Sequence, residues 1–185
     1  MSHKNILRTD DTLLLVVDFQ EAFRSSITDF SVIGSRIATA VTGCGLLGVP
    51  VFVTEQYPKG LGPTAEEVSM SLSDDTPIFE KTRFSAFGAE GLADRLTELG
   101  KTNILLCGLE THICINQTAH DLLENAYTVY LLTDCIGSRF DTDRQTGIAK
   151  MARSGVVTST VEMMLFEMML DAKHPHFKEI QQLIK

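Results

Sequence analysis

The chain has 185 residues, 44% hydrophobic and 22% charged, the proportions of an ordinary globular domain, which excludes disorder, a collagen-like repeat and a disulfide scaffold. Lys and Arg number 16 against 24 Asp and Glu, and a net charge of -8 with no basic block argues against nucleic acid as a partner. The longest purely aliphatic run, Leu13 to Val17, falls far short of the roughly 18 residues that span a bilayer, and the polar opening Ser2-His3-Lys4-Asn5 is no signal peptide. One cytoplasmic domain over residues 1–185, with no membrane partner, is the expectation. Cys44, Cys107, Cys114 and Cys135 lack CxxC spacing and are expected to be reduced thiols.

Thr12 to Val17 is a continuous apolar run ended by Asp18, the pattern of a strand buried on both faces. From Phe30 to Leu47, Ile33, Ile37, Ala40, Val41, Cys44 and Leu47 recur at helical spacing, and Gly48 followed by Pro50 ends the helix. Val51 to Thr54 reads as a second strand. Tyr57 to Pro63, with Pro58, Gly60, Gly62 and Pro63, is predicted to be a loop of fixed turns, and a polar stretch runs on to Asp75. A third strand is placed around Pro77-Ile78-Phe79 and a helix at Glu90 to Leu99, closed by Gly100. Strands at Asn103 to Cys107, Thr128 to Thr133 and Gly155 to Thr158 then alternate with helices at Ile113 to Asn125, Asp143 to Ser154 and Val161 to Leu170. A final short helix from Pro175 to Ile184 has proline in its first turn. This alternation predicts parallel pairing through right-handed crossovers, hence a three-layer α/β/α, Rossmann-like fold with a mainly parallel sheet.

Ligands of open parallel sheets bind outside the carboxyl ends of strands. Three chemically capable side chains fall there: Asp18 after the first strand, Lys81 after the third, and Cys114 in Gly108-Leu109-Glu110-Thr111-His112-Ile113-Cys114 after the fourth. Cys114 lies where a strand, a turn and a helix amino end meet, a position expected to lower a thiol pKa. Lys81 adds positive charge, Asp18 can take and return a proton, and the backbone N–H groups of the turn suit an oxyanion. The plainer alternative is an aspartate capping a turn, a solvated lysine and a core cysteine.

Val16-Val17-Asp18-Phe19-Gln20, Glu80-Lys81-Thr82-Arg83-Phe84-Ser85-Ala86-Phe87 and Gly108 to Cys114 resemble, in order, the motifs of the isochorismatase-like cysteine hydrolase family. Thr54 to Pro63 and Asp171-Ala172-Lys173-His174-Pro175 resemble the isochorismatase domain-containing subgroup, and the likeness spans nearly the whole chain. The resemblance implies a sheet of about six strands and an aspartate, lysine and cysteine acting together on amides and related bonds, falling on Asp18, Lys81 and Cys114. It also implies a cis peptide between Leu109 and Glu110 that aims the Glu110 and Cys114 amides at an oxyanion. Nicotinamidase members hold a metal after the second strand, but Glu55-Gln56-Tyr57-Pro58 has no histidine beside it, so neither metal nor cofactor is expected. True isochorismatases do not depend on a cysteine nucleophile, so Cys114 points to the amidase-like side of the family.

His112 with His120, and His174 with His176, lack the spacing of a metal site, and Gly60-Leu61-Gly62 does not open a helix as a phosphate loop would. Phe23, Tyr57 and Phe84 are candidate linings of an apolar substrate pocket, although aromatic residues beside strands are also ordinary core. Met163, Met164, Met168 and Met169 make one late helix apolar nearly all round, which suggests burial against another subunit and hence a homo-oligomer. The leading reading is a metal-independent cysteine hydrolase cleaving an amide or related C–N bond of a small molecule through a thioacyl intermediate. A non-catalytic binding or scaffold protein on the same fold, and a redox thiol protein, are the alternatives.

Overall fold

The structure is a computed structural model that describes His3 and residues 5–185; Ser2 and Lys4 of the polar opening lie outside the described residues. Its sheet is built from β1 (Thr12–Val17), β2 (Val51–Gln56), β3 (Ile78–Lys81), β4 (Asn103–Leu109), β5 (Thr128–Gly137) and β6 (Val157–Ser159). Every pairing is parallel and the order is β3-β2-β1-β4-β5-β6. The direction of winding therefore reverses between β1 and β4, where a doubly wound sheet opens its ligand crevice.

The buried β1 run splits its side chains between two cores. Leu14 and Val16 pack on one face with Ile33, Ile37 and Cys44 of α1 (Phe30–Leu46), and with Met164 and Leu165 of α7 (Val161–Met169). Leu13, Leu15 and Val17 pack on the other with Leu92 and Leu96 of α4 (Leu92–Leu99), Ala119 and Leu122 of α5 (Asn116–Glu124) and Met151 of α6 (Asp141–Arg153). A short α8 (Phe177–Leu183) adds Ile180 to the first core. Each fully buried aliphatic side chain contributes about 1.5–3 kcal/mol of transfer free energy, so this two-sided burial anchors the strand ends that carry chemistry. No helix among the described residues is long and apolar enough to cross a membrane.

Several elements differ from expectation. The Tyr57–Pro63 loop contains a one-turn helix, α2 (Pro58–Leu61), entered through Tyr57 at φ +38°, and the polar stretch after it contains α3 (Glu66–Ser69). β3 extends through Lys81 instead of stopping at Phe79, and β5 runs on to Gly137 past the polar residues Thr133 and Asp134. Asp134 is accommodated because Arg36 Nη2 donates to it at 2.7 Å and the Val161 amide caps against it at 3.1 Å. The predicted helix from Ile113 opens as a π-helical turn, Thr111–Ile115, before α5. Pro175 precedes the His176 cap of α8 and does not sit in its first turn. On α7, Met164, Met168 and Met169 are buried, but Met163 is half exposed, so the helix is not apolar-covered all round within this chain.

At the switch point the backbone admits only glycine at position 108. Gly108 has φ +117°, and a Cβ there would sit 1.9 Å from the Val17 carbonyl oxygen. This close approach sets the end of β4 against the end of β1, where Gly108 pairs with Val17, while the β4–β5 ladder shifts register between Leu106 and Gly108. The Leu109–Glu110 peptide that follows is cis.

Candidate active site

Asp18 follows β1 directly, at φ +52°, a left-handed conformation that Asp tolerates better than most residues. Lys81 ends β3, two strands away, at a separation of about 10 Å given the spacing of neighbouring strands. A long unbranched side chain crosses that gap over the end of β2. Lys81 Nζ donates to Asp18 Oδ2 at 2.6 Å, with both side chains wholly buried. It also meets Gln56 Oε1 at 2.7 Å, the Phe84 carbonyl at 2.8 Å and the Arg83 carbonyl at 3.1 Å. An ammonium with three hydrogens thus faces four acceptors and is fully held.

The other carboxylate oxygen, Asp18 Oδ1, accepts from Thr54 Oγ1 at 2.8 Å, and the Cys114 thiol hydrogen-bonds to the same carboxylate. Asp18 therefore links Lys81, Thr54 and Cys114, and the three residues singled out from strand ends meet in one place. Burial pushes the Asp18 carboxyl above its usual range, against the pull of the Lys81 charge and of its three donors. Burial likewise pushes the Cys114 thiol up to about 12, and the Asp18 charge adds to it; Lys81 and the Glu110 backbone amide, which hydrogen-bonds the sulfur, act in the opposite sense. This corrects the expected low thiol pKa. Burial outweighs the Lys81 charge and the turn's amide, so the sulfur is held toward the protonated thiol beside Asp18.

The turn that carries Cys114 is held from several sides. The Ile113 and Ile115 amides both donate to the Glu110 carbonyl, at 3.0 and 3.3 Å, bracketing Cys114. α6 packs on it at Gly147, where a Cβ would lie 3.2 Å from the Thr111 carbonyl oxygen. Cys44, Cys107 and Cys135 are wholly buried in the first core, whereas Cys114 retains 7% exposure. All four cysteines are free thiols.

Sequence reasoning missed Thr54, Gln56 and Gln20 as partners. Gln20 is fully buried; its Nε2 donates to the Gln56 carbonyl at 3.0 Å and the Gly62 carbonyl at 2.6 Å, and its Oε1 accepts from the Gln56 amide at 2.8 Å. It so ties the end of β2, and the Gln56 side chain on Lys81, to the 57–63 segment. The available signal was a buried strand closing on the polar run Thr54-Glu55-Gln56. Among the pocket candidates, Tyr57 lines a cavity of about 400 Å³ with Lys59, Glu80, Lys81, Thr82 and Glu90. Phe84 is exposed, and its backbone serves Lys81; Phe23 packs partly buried against the first core. Glu55 Oε1 is occupied by the Thr64 amide and hydroxyl, at 2.6 and 2.7 Å. His112 pairs with Ser138 at 3.0 Å, and His120 with the Asn116 carbonyl at 2.6 Å and Ser154 at 3.0 Å, so neither faces a common metal position.

The isochorismatase domain model matches residues 12–163. The chain belongs to the isochorismatase family. It is 40% identical over 179 residues to isochorismatase domain-containing protein 2 of Danio rerio, covering 96% of this chain and 89% of that protein. It is 43% identical to isochorismatase domain-containing protein 1 of Salmo salar, covering 94% of this chain but only 61% of that longer protein. In three dimensions it matches the MAR1 ribonuclease of Caenorhabditis elegans with a TM-score of 0.91 and 36% identity, covering 96% of this chain and 91% of that one. The three-layer fold and the hydrolase family are thereby shared.

Proposed function

We propose that this isochorismatase-family chain is a metal-independent cysteine hydrolase that cleaves an amide or related C–N bond of a small molecule. The observation that carries the proposal is the buried chain of contacts from Lys81 through Asp18 to the Cys114 thiol. A thiol held against a carboxylate of raised basicity transfers its proton as it attacks. The sulfur adds to the carbonyl carbon, its proton passes to Asp18, and negative charge develops on the carbonyl oxygen, where the Glu110 and Cys114 amides stand as the oxyanion donors. Collapse breaks the C–N bond, the amine leaves with the proton from Asp18, and a thioester remains on Cys114. Water then attacks the thioester, Asp18 takes its proton, and the acid departs as the proton returns to the sulfur.

Lys81 keeps Asp18 ionised and oriented despite burial, a role distinct from stabilising a resting thiolate. The exposed Tyr57 and Phe84 and the partly buried Phe23 are proposed to border the substrate. The half-exposed Met163 and exposed Leu170 on the α7 side support a homo-oligomer, and a cytoplasmic setting suits a reduced thiol. Thr64 occupies Glu55 Oε1 with its amide and hydroxyl, which supports a mechanism without a metal at the nicotinamidase position.

The test is release of amine or ammonia from a panel of small amides, run beside an RNA cleavage assay because a 36%-identical structure is that of a ribonuclease. Hydrolysis of at least one amide is expected, falling about a hundredfold or more in Cys114→Ser and Asp18→Asn. Amide turnover that survives Cys114→Ser, or RNA cleavage without any amide turnover, overturns the proposal. The net charge of -8 counts against the RNA outcome.

A further inference from the structure

Three consecutive residues ahead of the nucleophile are tied to three consecutive residues at the end of β5. Thr111 Oγ1 donates to the Gly137 carbonyl at 2.9 Å, His112 Nδ1 pairs with Ser138 Oγ at 3.0 Å, and Glu110 Oε1 accepts from Arg139. The last contact is double, since the Arg139 amide and its Nε each donate to the same carboxylate oxygen at 3.1 Å. Glu110 is 6% exposed, and its amide, its carbonyl and one carboxylate oxygen are engaged around the sulfur or its support. Its amide faces Cys114 Sγ, its carbonyl binds the Ile113 and Ile115 amides on either side of Cys114, and its side chain is held by Arg139.

We propose that Arg139 is a positioning residue for the nucleophile: by gripping the Glu110 carboxylate it fixes the Glu110 amide against the Cys114 sulfur. The inference rests on the reading of Cys114 as the nucleophile. Arg139 itself is half exposed and touches none of the reacting atoms, so it acts only through Glu110. Losing the guanidinium leaves one backbone donor on a buried carboxylate, and residue 110 then turns toward water to recover solvation. That movement draws its amide from the sulfur and removes a donor that favours the thiolate and, in turnover, the oxyanion.

The experiment measures the rate at which iodoacetamide alkylates Cys114 at pH 8, by peptide mass spectrometry, in wild type, Arg139→Ala, Arg139→Lys and Arg36→Ala, with thermal melting of each. Arg36 is the matched control, because it also binds a carboxylate on β5, Asp134, but that carboxylate does not support the turn. A drop of about two- to fivefold is expected in Arg139→Ala, partial recovery in Arg139→Lys and the wild-type rate in Arg36→Ala. On any amide that wild type hydrolyses, kcat falls and KM holds. An unchanged rate in Arg139→Ala, a faster rate from simple loosening, or an equal drop in Arg36→Ala overturns the inference. Arg139→Gln gives the same reading should the alanine variant fail to fold. Amide hydrolysis that persists in Cys114→Ser would instead sink the parent reading, whatever Arg139 does.

Discussion

Replacing Lys81 by Met removes one member of a pair whose two side chains are wholly buried and leaves the Asp18 carboxylate with Thr54 and Cys114 as its donors. Breaking a buried ion pair from one side costs about 3–5 kcal/mol, because the surviving charge keeps its desolvation penalty. For a chain of this length each kcal/mol lowers Tm by about 2–4 °C, so Lys81→Met should melt about 6–20 °C below wild type. Asp18→Asn should cost less, about 2–3 kcal/mol, since the stranded ammonium keeps Gln56 and the carbonyls of Arg83 and Phe84. The double variant has neither charge and should be no less stable than Lys81→Met alone, giving a coupling of at least about 2 kcal/mol. Urea unfolding of the four proteins at pH 7 closes the cycle. pH adds a second reading: without Lys81 the folded state holds the Asp18 proton more tightly still, while the unfolded chain releases it near about pH 4. That release is common to both proteins, so the Lys81→Met deficit should be smallest at acid pH and widen only as pH rises through wild type's own raised Asp18 value. Single-variant losses that add to within about 0.5 kcal/mol would refute the coupled pair.

Iodoacetamide at pH 8 should modify Cys114 alone in the folded protein, since Cys44, Cys107 and Cys135 are fully buried. With its thiol pushed up to about 12, Cys114 should react about ten- to a hundredfold more slowly than a free cysteine, the small thiolate fraction being partly offset by greater nucleophilicity; a faster-than-free reaction at pH 7 would show a resting thiolate. Stability should fall steeply above about pH 9. The unfolded chain releases thiol protons there while the fold retains them, Cys44 and Cys114 up to about 12 and Cys107 and Cys135 higher than usual. Cys44→Ala should flatten that slope by about 1.4 kcal/mol per pH unit in urea unfolding between pH 9 and 10.5, and an unchanged slope would contradict the burial of Cys44.

Much of the fold was legible because the sheet is buried on both faces. The run at Thr12 to Val17 has no polar interruption and ends on Asp18, so its length could be read directly, whereas β4 runs two residues past Cys107 to Leu109, because Gly108 looks like a strand end. β5 was read four residues short because Thr133 and Asp134 look like a strand end, and only the tertiary partners Arg36 and Val161 make Asp134 compatible with the interior. α3, a single turn, is too short to show periodicity. The members of the candidate site were visible from their places at strand ends, but the burial that pushes the Cys114 thiol up was not. Whether Lys81 lowers the Cys114 thiol or is spent on Asp18 depends on a contact between residues 63 positions apart. The Glu110 to Arg139 tie spans 29 positions and follows no local pattern.

The central claim, that Cys114 carries the acyl group during turnover, is tested most directly by acid-quenching the protein while it hydrolyses an amide and weighing its cysteine peptides. The account predicts a mass increase equal to the acyl moiety on the Cys114 peptide, stronger in a variant with slowed water attack and absent from Cys44, Cys107 and Cys135. Turnover with no adduct on Cys114 under quench conditions that preserve thioesters, or an adduct on another residue, would contradict it.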